Sequence, residues 1–230
     1  MSNEFTTVKS FMPSILFGSI GSIADTSELQ RQSFNQAFKQ HKLDWHWSQD
    51  EYSQMLNKNG GKQRIQDYAT SLGQSVDAAA IHESKSQIFQ HYLETGKVKP
   101  RPGVVETIAI TKQQGLKLAL VTTTSENNVS SLLLGLGSDI NPTDFDLIVN
   151  ASMVEQPKPA ADAYALALEK INEKAENCVA IEDNLGGLSA AKALGISCVA
   201  FPGENNTHYD FSKADLRVDK LDFDGLKKFI

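Results

Sequence analysis

Polar groups stand where several apolar runs of this chain end. Thr122 follows Leu118–Val121, Glu182 and Asp183 follow Cys178–Ile181, and the turn Gly18–Ser22 follows Ile15–Phe17. Lys158 lies between them in the loop VEQPKPAADAY. In a parallel sheet, side chains and backbone N–H groups converge beyond the C-terminal strand ends. A hydroxyl, an ammonium and turn N–H groups gathered there form an anion pocket, and one or two carboxylates beside it suit a hard divalent cation. Singly, each has a plainer reading. A Lys before Pro is usual in solvated loops, and Glu-Asp after a strand is often the acid pair of a helix N-terminus. A second cluster, Asn59-Gly60-Gly61-Lys62-Gln63-Arg64, pairs glycines that let backbone approach an anion with two cations that neutralise it. Its competing reading is an ordinary helix start with solvated basic residues.

The elements that must position these groups alternate. Helices are expected near Gly103–Gln114, Glu126–Leu136, Ala160–Ile171 and Gly186–Leu194. Between and after them lie the strands Leu118–Val121, Phe145–Val149, Cys178–Ile181 and Ile196–Phe201. Leu216–Val218 reads as an edge strand and Phe223–Ile230 as a terminal helix. That rhythm predicts an α/β, doubly wound, Rossmann-like parallel sheet. From Glu28 to Lys99 the apolar residues recur at helical spacing, as in Leu29, Phe34, Ala37, Phe38 and Ile81, Ile88, Phe89, Tyr92, which predicts a helical insertion after the first strand. Trp45 and Trp47 read as its packing anchors.

The four strand ends, in this order and spacing, resemble the haloacid dehalogenase (HAD) superfamily of phosphatases and phosphomutases. Its first motif reads D-x-D-G-[TV]-x-x-D-[TS] after an apolar run. Aligned on Gly21 and Asp25-Thr26, this chain has Gly18 in place of the nucleophilic Asp and Ile20 in place of the acid/base Asp. Thr122 matches the family's phosphoryl-binding Thr or Ser. Lys158 matches the Lys of K-P-x-P-D-x-[YF], with Ala161 for the second proline. Glu182-Asp183 match the acidic pair that holds Mg²⁺. Gly61, Lys62 and Arg64 resemble the G-G-K-x-R signature of the β-phosphoglucomutase and xylulose-1,5-bisphosphatase-like branch, where the cations grip a remote phosphate. Ser22, Ser27, Gln30 and Asn150-Ala151 depart from common family residues.

The resemblance covers nearly the whole chain. It implies a HAD-like core from residues 1–26 and 100–230 and a helical cap from 27–99. In the resembled enzymes one Asp attacks phosphorus, another protonates the leaving oxygen, and Mg²⁺ with Lys neutralises charge. Neither Gly18 nor Ile20 fills those roles, and loss of a nucleophile costs on the order of 10⁶ in rate, about 8 kcal/mol. The first expectation is therefore a catalytically degenerate relative that binds a phosphorylated small molecule or a protein partner. Removing a carboxylate that repels a phosphate dianion strengthens ground-state binding. The second is an active phosphatase using a displaced carboxylate, Asp25 being the nearest, or a water activated by metal on Glu182-Asp183. The third is a protein acting through its surface. A Mg²⁺ site at Glu182 and Asp183 is expected in weakened form, against a structural ion pair of Lys158 with either acid.

With 230 residues, 40% of them hydrophobic, the chain is long enough to bury a real core. A net charge of −6 argues against a nucleic-acid surface. Met1–Pro13 has no apolar core of signal-peptide length and no run reaches membrane-span length, so a cytoplasmic protein is expected. Cys178 and Cys198, each in an apolar run, read as buried free thiols. The five histidines lack paired ligand spacing and read as surface or cap residues.

Overall fold

The computed structural model describes residues 13–57, 60–96 and 98–230. The reading of Met1–Pro13 therefore falls, Pro13 apart, outside the described residues, as does Asn59 of the glycine–cation cluster. Among the described residues six strands pair in parallel: Ser14–Phe17 (β1), Lys117–Val121 (β2), Leu147–Val149 (β3), Cys178–Glu182 (β4), Ser197–Ala200 (β5) and Leu216–Arg217 (β6). Their order is β3-β2-β1-β4-β5-β6, so β1 is central, with the Gly18 turn beside the end of β4.

Alternation of side chains across the pleat explains the two cores. Ile15, Phe17, Leu118, Leu120, Val179, Ile181 and Val199 face one side, joined by large side chains such as Phe89, Leu93 and Leu132. Leu16, Ala119, Val121, Ala180, Cys198 and Ala200 face the other, where Ala163, Ala167, Ala190 and Ala191 let the covering helices lie close. Those helices are α8 (Asp162–Ile171) and α9 (Leu185–Ala193). Strands buried on both faces read as unbroken apolar runs, which is why their sequence is so plain. Cys178 and Cys198 are buried free thiols, and burial pushes the Cys178 thiol up to about 11.

Between β1 and β2 come α1 (Ile20–Ile23), α2 (Ser27–Gln40), α3 (Gln49–Gln54), α4 (Gly61–Ser71), α5 (Ala78–Glu94) and α6 (Val104–Gln113). Helices α2 to α5 enclose a third cluster built on Phe34, Phe38, Trp45, Trp47, Tyr52, Ile65 and Ile81. Trp47 is fully buried, its ring centroid 4.7 Å from that of Phe38 and 4.9 Å from that of Phe34. Helix α5 then runs on to pack against α7 (Glu126–Leu136), where a Cβ on Gly135 would overlap the Leu93 carbonyl. The chain returns to the sheet at Arg101, whose N–H donates to the Ile23 carbonyl at 2.8 Å. Its guanidinium donates to the carbonyls of Gly21 (3.1 Å), Phe201 (2.6 Å) and Pro202 (2.6 Å), and lies 3.3 Å from the Phe201 ring centroid.

Three of the departures from the sequence expectation have a visible local form. The expected glycine turn at 18–21 winds into α1, because the Ser19 hydroxyl accepts from the N–H groups of Gly21 (3.0 Å) and Ser22 (3.3 Å). Strand β3 begins at Leu147 rather than Phe145, whose N–H is taken by the Pro142 carbonyl in a preceding 3-10 turn. The terminal helix stops as α10 (Phe223–Leu226) and tightens into a 3-10 turn over Lys227–Phe229.

Candidate active site

A cleft of about 870 Å³ opens over the C-terminal ends of β1, β2 and β4, with α2, α4 and α5 on its far wall. Gly18, Ser19, Ile20, Thr122, Lys158 and Asp183 line its base, and Gln30, Gly61, Lys62, Arg64, His82 and Lys85 line the opposite side. The structure thus brings both sequence-predicted clusters to one cavity. Glu182 and Asp25, of the expected residues, do not line it.

Glu182 is the last residue of β4 and has no exposed surface. Its Oε1 accepts from Lys158 Nζ and from the Tyr164 hydroxyl, each at 2.7 Å. Oε2 is buried and has no hydrogen-bond partner among the described residues. A Cβ at Gly18 would overlap the Glu182 carboxylate and the Tyr164 hydroxyl, and a Cβ at Gly187 would overlap the same carboxylate. The carboxylate is therefore wedged between two glycines, in the space that a side chain at position 18 would occupy. Burial raises its pKa, with Lys158 opposing, and burial beside Glu182 lifts Tyr164 well above the usual phenol value.

Lys158 is 4% exposed. Its ammonium also donates to the strand-end carbonyls of Gly18 and, at 2.7 Å, Val121, and sits 4.5 Å from the Tyr164 ring centroid. Of the two ion pairs that the sequence left open, the structure forms the one with Glu182. Thr122, at the end of β2, accepts from the Thr124 N–H at 3.1 Å through its hydroxyl. Asp183 keeps a half-buried carboxylate, which accepts from Ser19 Oγ at 2.6 Å and Asn184 Nδ2 at 2.8 Å. Asp25, the displaced-carboxylate candidate, is exposed away from the cleft lining. It accepts from Ser27 and from the Glu204 N–H at 2.5 Å.

The residues do not fit the expected Mg²⁺ well. Mg²⁺ demands near-octahedral oxygen ligands and retains several waters. Glu182 is sealed and committed to an ammonium, so Asp183 is the one carboxylate of the pair that faces the cleft. Among the described residues no three His, Cys, Asp or Glu side chains gather as a cation site.

The far wall is basic. Arg64 donates to the Met55 carbonyl at 3.2 Å, its guanidinium 5.5 Å from the Tyr52 ring centroid. Lys85, absent from the sequence-level candidates, is 4% exposed. Its ammonium donates to Gln30 Oε1 at 3.1 Å and lies 4.9 and 4.6 Å from the ring centroids of Phe34 and Phe89. Burial, with Arg64 nearby, lowers its pKa to about 7. The signal was present in the sequence: Ile81, Lys85 and Phe89 stand four apart on one helix face, with a lysine inside an apolar stripe. His82, half-buried in the same wall, has its pKa lowered by burial and the surrounding cations. A Cβ on Gly61 would come 2.7 Å from His82 Nε2, so glycine there lets α4 start against the ring.

Residues 15–201 match the family model described as haloacid dehalogenase-like hydrolase. The chain belongs to that family. Within it the chain falls in the CbbY-like subfamily: it is 37% identical to Protein CbbY of Cereibacter sphaeroides, over 90% of this chain and 91% of the relative. A CBBY-like protein of Arabidopsis thaliana is 30% identical over 95% of this chain and 71% of its own length. Crystal structures of CbbY from Rhodobacter sphaeroides superpose at 36% identity, over 91% of this chain and 94% of theirs. The phosphate complex gives a TM-score of 0.81, and a mutant bound to xylulose-(1,5)bisphosphate gives 0.82. This HAD-like chain is thus a relative of sugar-phosphate phosphatases. Among its described residues no helix is long and apolar enough to cross a membrane.

Proposed function

We propose that this protein binds a phosphorylated sugar of the bisphosphate class in its cleft and does not hydrolyse it by the carboxylate-nucleophile route. One observation carries the reading: position 18 is glycine, and the Glu182 carboxylate, tied to Lys158 and Tyr164, fills the space a side chain there would need. Residues 27–99 act as the cap, with Lys62, Arg64 and Lys85 receiving the remote phosphate. Thr122, on the cleft base beside Lys158, receives the near phosphate. The protein works in the cytoplasm. The bisphosphate assignment follows the ligand seen in the CbbY mutant complex. Titration calorimetry with xylulose-1,5-bisphosphate, paired with a phosphate-release assay, tests the proposal. Saturable binding with no release is expected; failure to bind refutes it.

A second reading, an active sugar-phosphate phosphatase, is favoured by the extent of identity to CbbY proteins. In that case Asp183, the half-buried carboxylate on the cleft base, is the acid or base that handles the proton of an attacking water. Phosphate release at ordinary turnover, about 1 s⁻¹ or faster, that Asp183→Asn abolishes establishes this reading over the first.

A further inference from the structure

We infer that Lys158 takes the place of a divalent cation at the base of the cleft, so that the protein folds and holds anionic esters without magnesium. The inference deepens the ester-binding reading and rests on it for its ligand arm.

Two strand-end carbonyls, Gly18 O and Val121 O, and one carboxylate oxygen, Glu182 Oε1, surround the Lys158 ammonium. Oxygen donors of this kind are what a hard cation selects. Here a positive charge that belongs to the chain satisfies them, and an ammonium supplies a donor to each. The Tyr164 hydroxyl donates to the same Oε1 and holds the carboxylate toward the ammonium.

The oxygen left over, Glu182 Oε2, is the one through which a metal would have to take this carboxylate. It is sealed from solvent against Gly187, and the partly hydrated shell that Mg²⁺ keeps has no path to it. The two acids also look different ways. Glu182 points into the interior and Asp183 toward the cleft, where Ser19 and Asn184 both donate to its Oδ1. Moving Glu182 out would strand the buried ammonium, a change that costs more than a surface rearrangement. Gly18 is what permits the arrangement, since any side chain there would displace the carboxylate.

The test uses the full chain. Mg²⁺ is titrated alone, by calorimetry and by thermal unfolding. Inorganic phosphate and xylulose-1,5-bisphosphate are titrated in EDTA and in about 5 mM Mg²⁺, a concentration well above that of a site with Kd of about 0.1 mM. The expected result is no saturable Mg²⁺ heat, a Tm unchanged within about 1 °C, and ligand affinities equal within about twofold. A site with Kd of about 0.1 mM would instead raise Tm by several degrees at about 10 mM Mg²⁺. Saturable Mg²⁺ binding that Asp183→Asn or Glu182→Gln removes would overturn the inference, and so would ester binding that appears only with Mg²⁺. Asp183→Asn keeps this readable if Glu182→Gln fails to fold. If neither ester binds in either buffer, the ester-binding reading falls, and the Mg²⁺ titration still decides the internal cation.

Discussion

Replacing Lys85 with methionine should stabilise the protein near neutral pH while weakening its hold on a bisphosphate. The side chain is 4% exposed among Phe34, Phe89 and Gln30, with Arg64 and His82 on the same wall. Its pKa falls from 10.5 to about 7. At about 1.36 kcal/mol per unit, that shift caps the cost of keeping the ammonium charged in the folded state at about 5 kcal/mol. Methionine keeps the buried stem without the charge, so a gain of about 1–4 kcal/mol below pH 7 is the working figure. The pH dependence follows from linkage. Between pH 7 and 10.5 the unfolded chain keeps a proton on Lys85 that the native protein has lost, so wild-type stability rises with pH over that window. The contribution is about 2 kcal/mol between pH 7 and 9. Urea melts of wild type and Lys85→Met across pH 6.5–9.5 should therefore converge as pH rises. A constant gap, or one that widens, would refute the reasoning. A bisphosphate that pairs with Lys85 should reprotonate it, so calorimetry at pH 8 in buffers of different ionisation heat should register proton uptake on binding.

Gly18→Ala, which pushes a methyl group into the Glu182 carboxylate and the Tyr164 hydroxyl, should cost about 1–3 kcal/mol in a urea melt; a neutral result would show that the wedge relaxes freely. Glu182→Gln strips the charge partner from a buried ammonium and should cost about 3–5 kcal/mol, with a loss under 0.5 kcal/mol contradicting the pairing. Gly135→Ala should lower Tm by forcing α7 away from the Leu93 carbonyl, at a cost of about 1–3 kcal/mol, and an unchanged melt would mean that the two helices separate without resistance. Arg64→Ala should weaken bisphosphate binding more than binding of orthophosphate, measured by calorimetry, because it stands on the far wall of the cleft.

The sheet was legible because strands buried on both faces have little freedom of composition. Leu118–Val121 and Cys178–Ile181 read as apolar runs and pair as β2 and β4, each extended by one residue. Helix α7 fell at its expected bounds, since Ser125 caps it through the Asn128 N–H. The residues at the cleft base were legible from spacing, yet their mutual arrangement was not. The sequence around Glu182 does not by itself say that the carboxylate turns inward, because beside the nearby Gly187 the choice depends on Gly18 and Tyr164, farther off in sequence and brought in by the fold. Helix α1 was missed because two glycines read as a turn, whereas the Ser19 hydroxyl supplies the donors' partner that a helical start requires. Lys85 was missed because a lysine on an apolar stripe reads as an interruption, and its value shows only when Arg64 and Gln30 arrive beside it.

The clasp at Arg101 has a modular consequence. Because its N–H meets the Ile23 carbonyl, the chain leaves the sheet and comes back at almost the same point, and the intervening helices hang from a closed gate. The guanidinium pins that gate to α1 and to the segment after β5, through the carbonyls of Gly21, Phe201 and Pro202. A graft of the corresponding segment from another member of the subfamily would thus exchange the roof over the cleft while leaving its floor in register, and swapped roofs should trade ligand preference without trading foldedness.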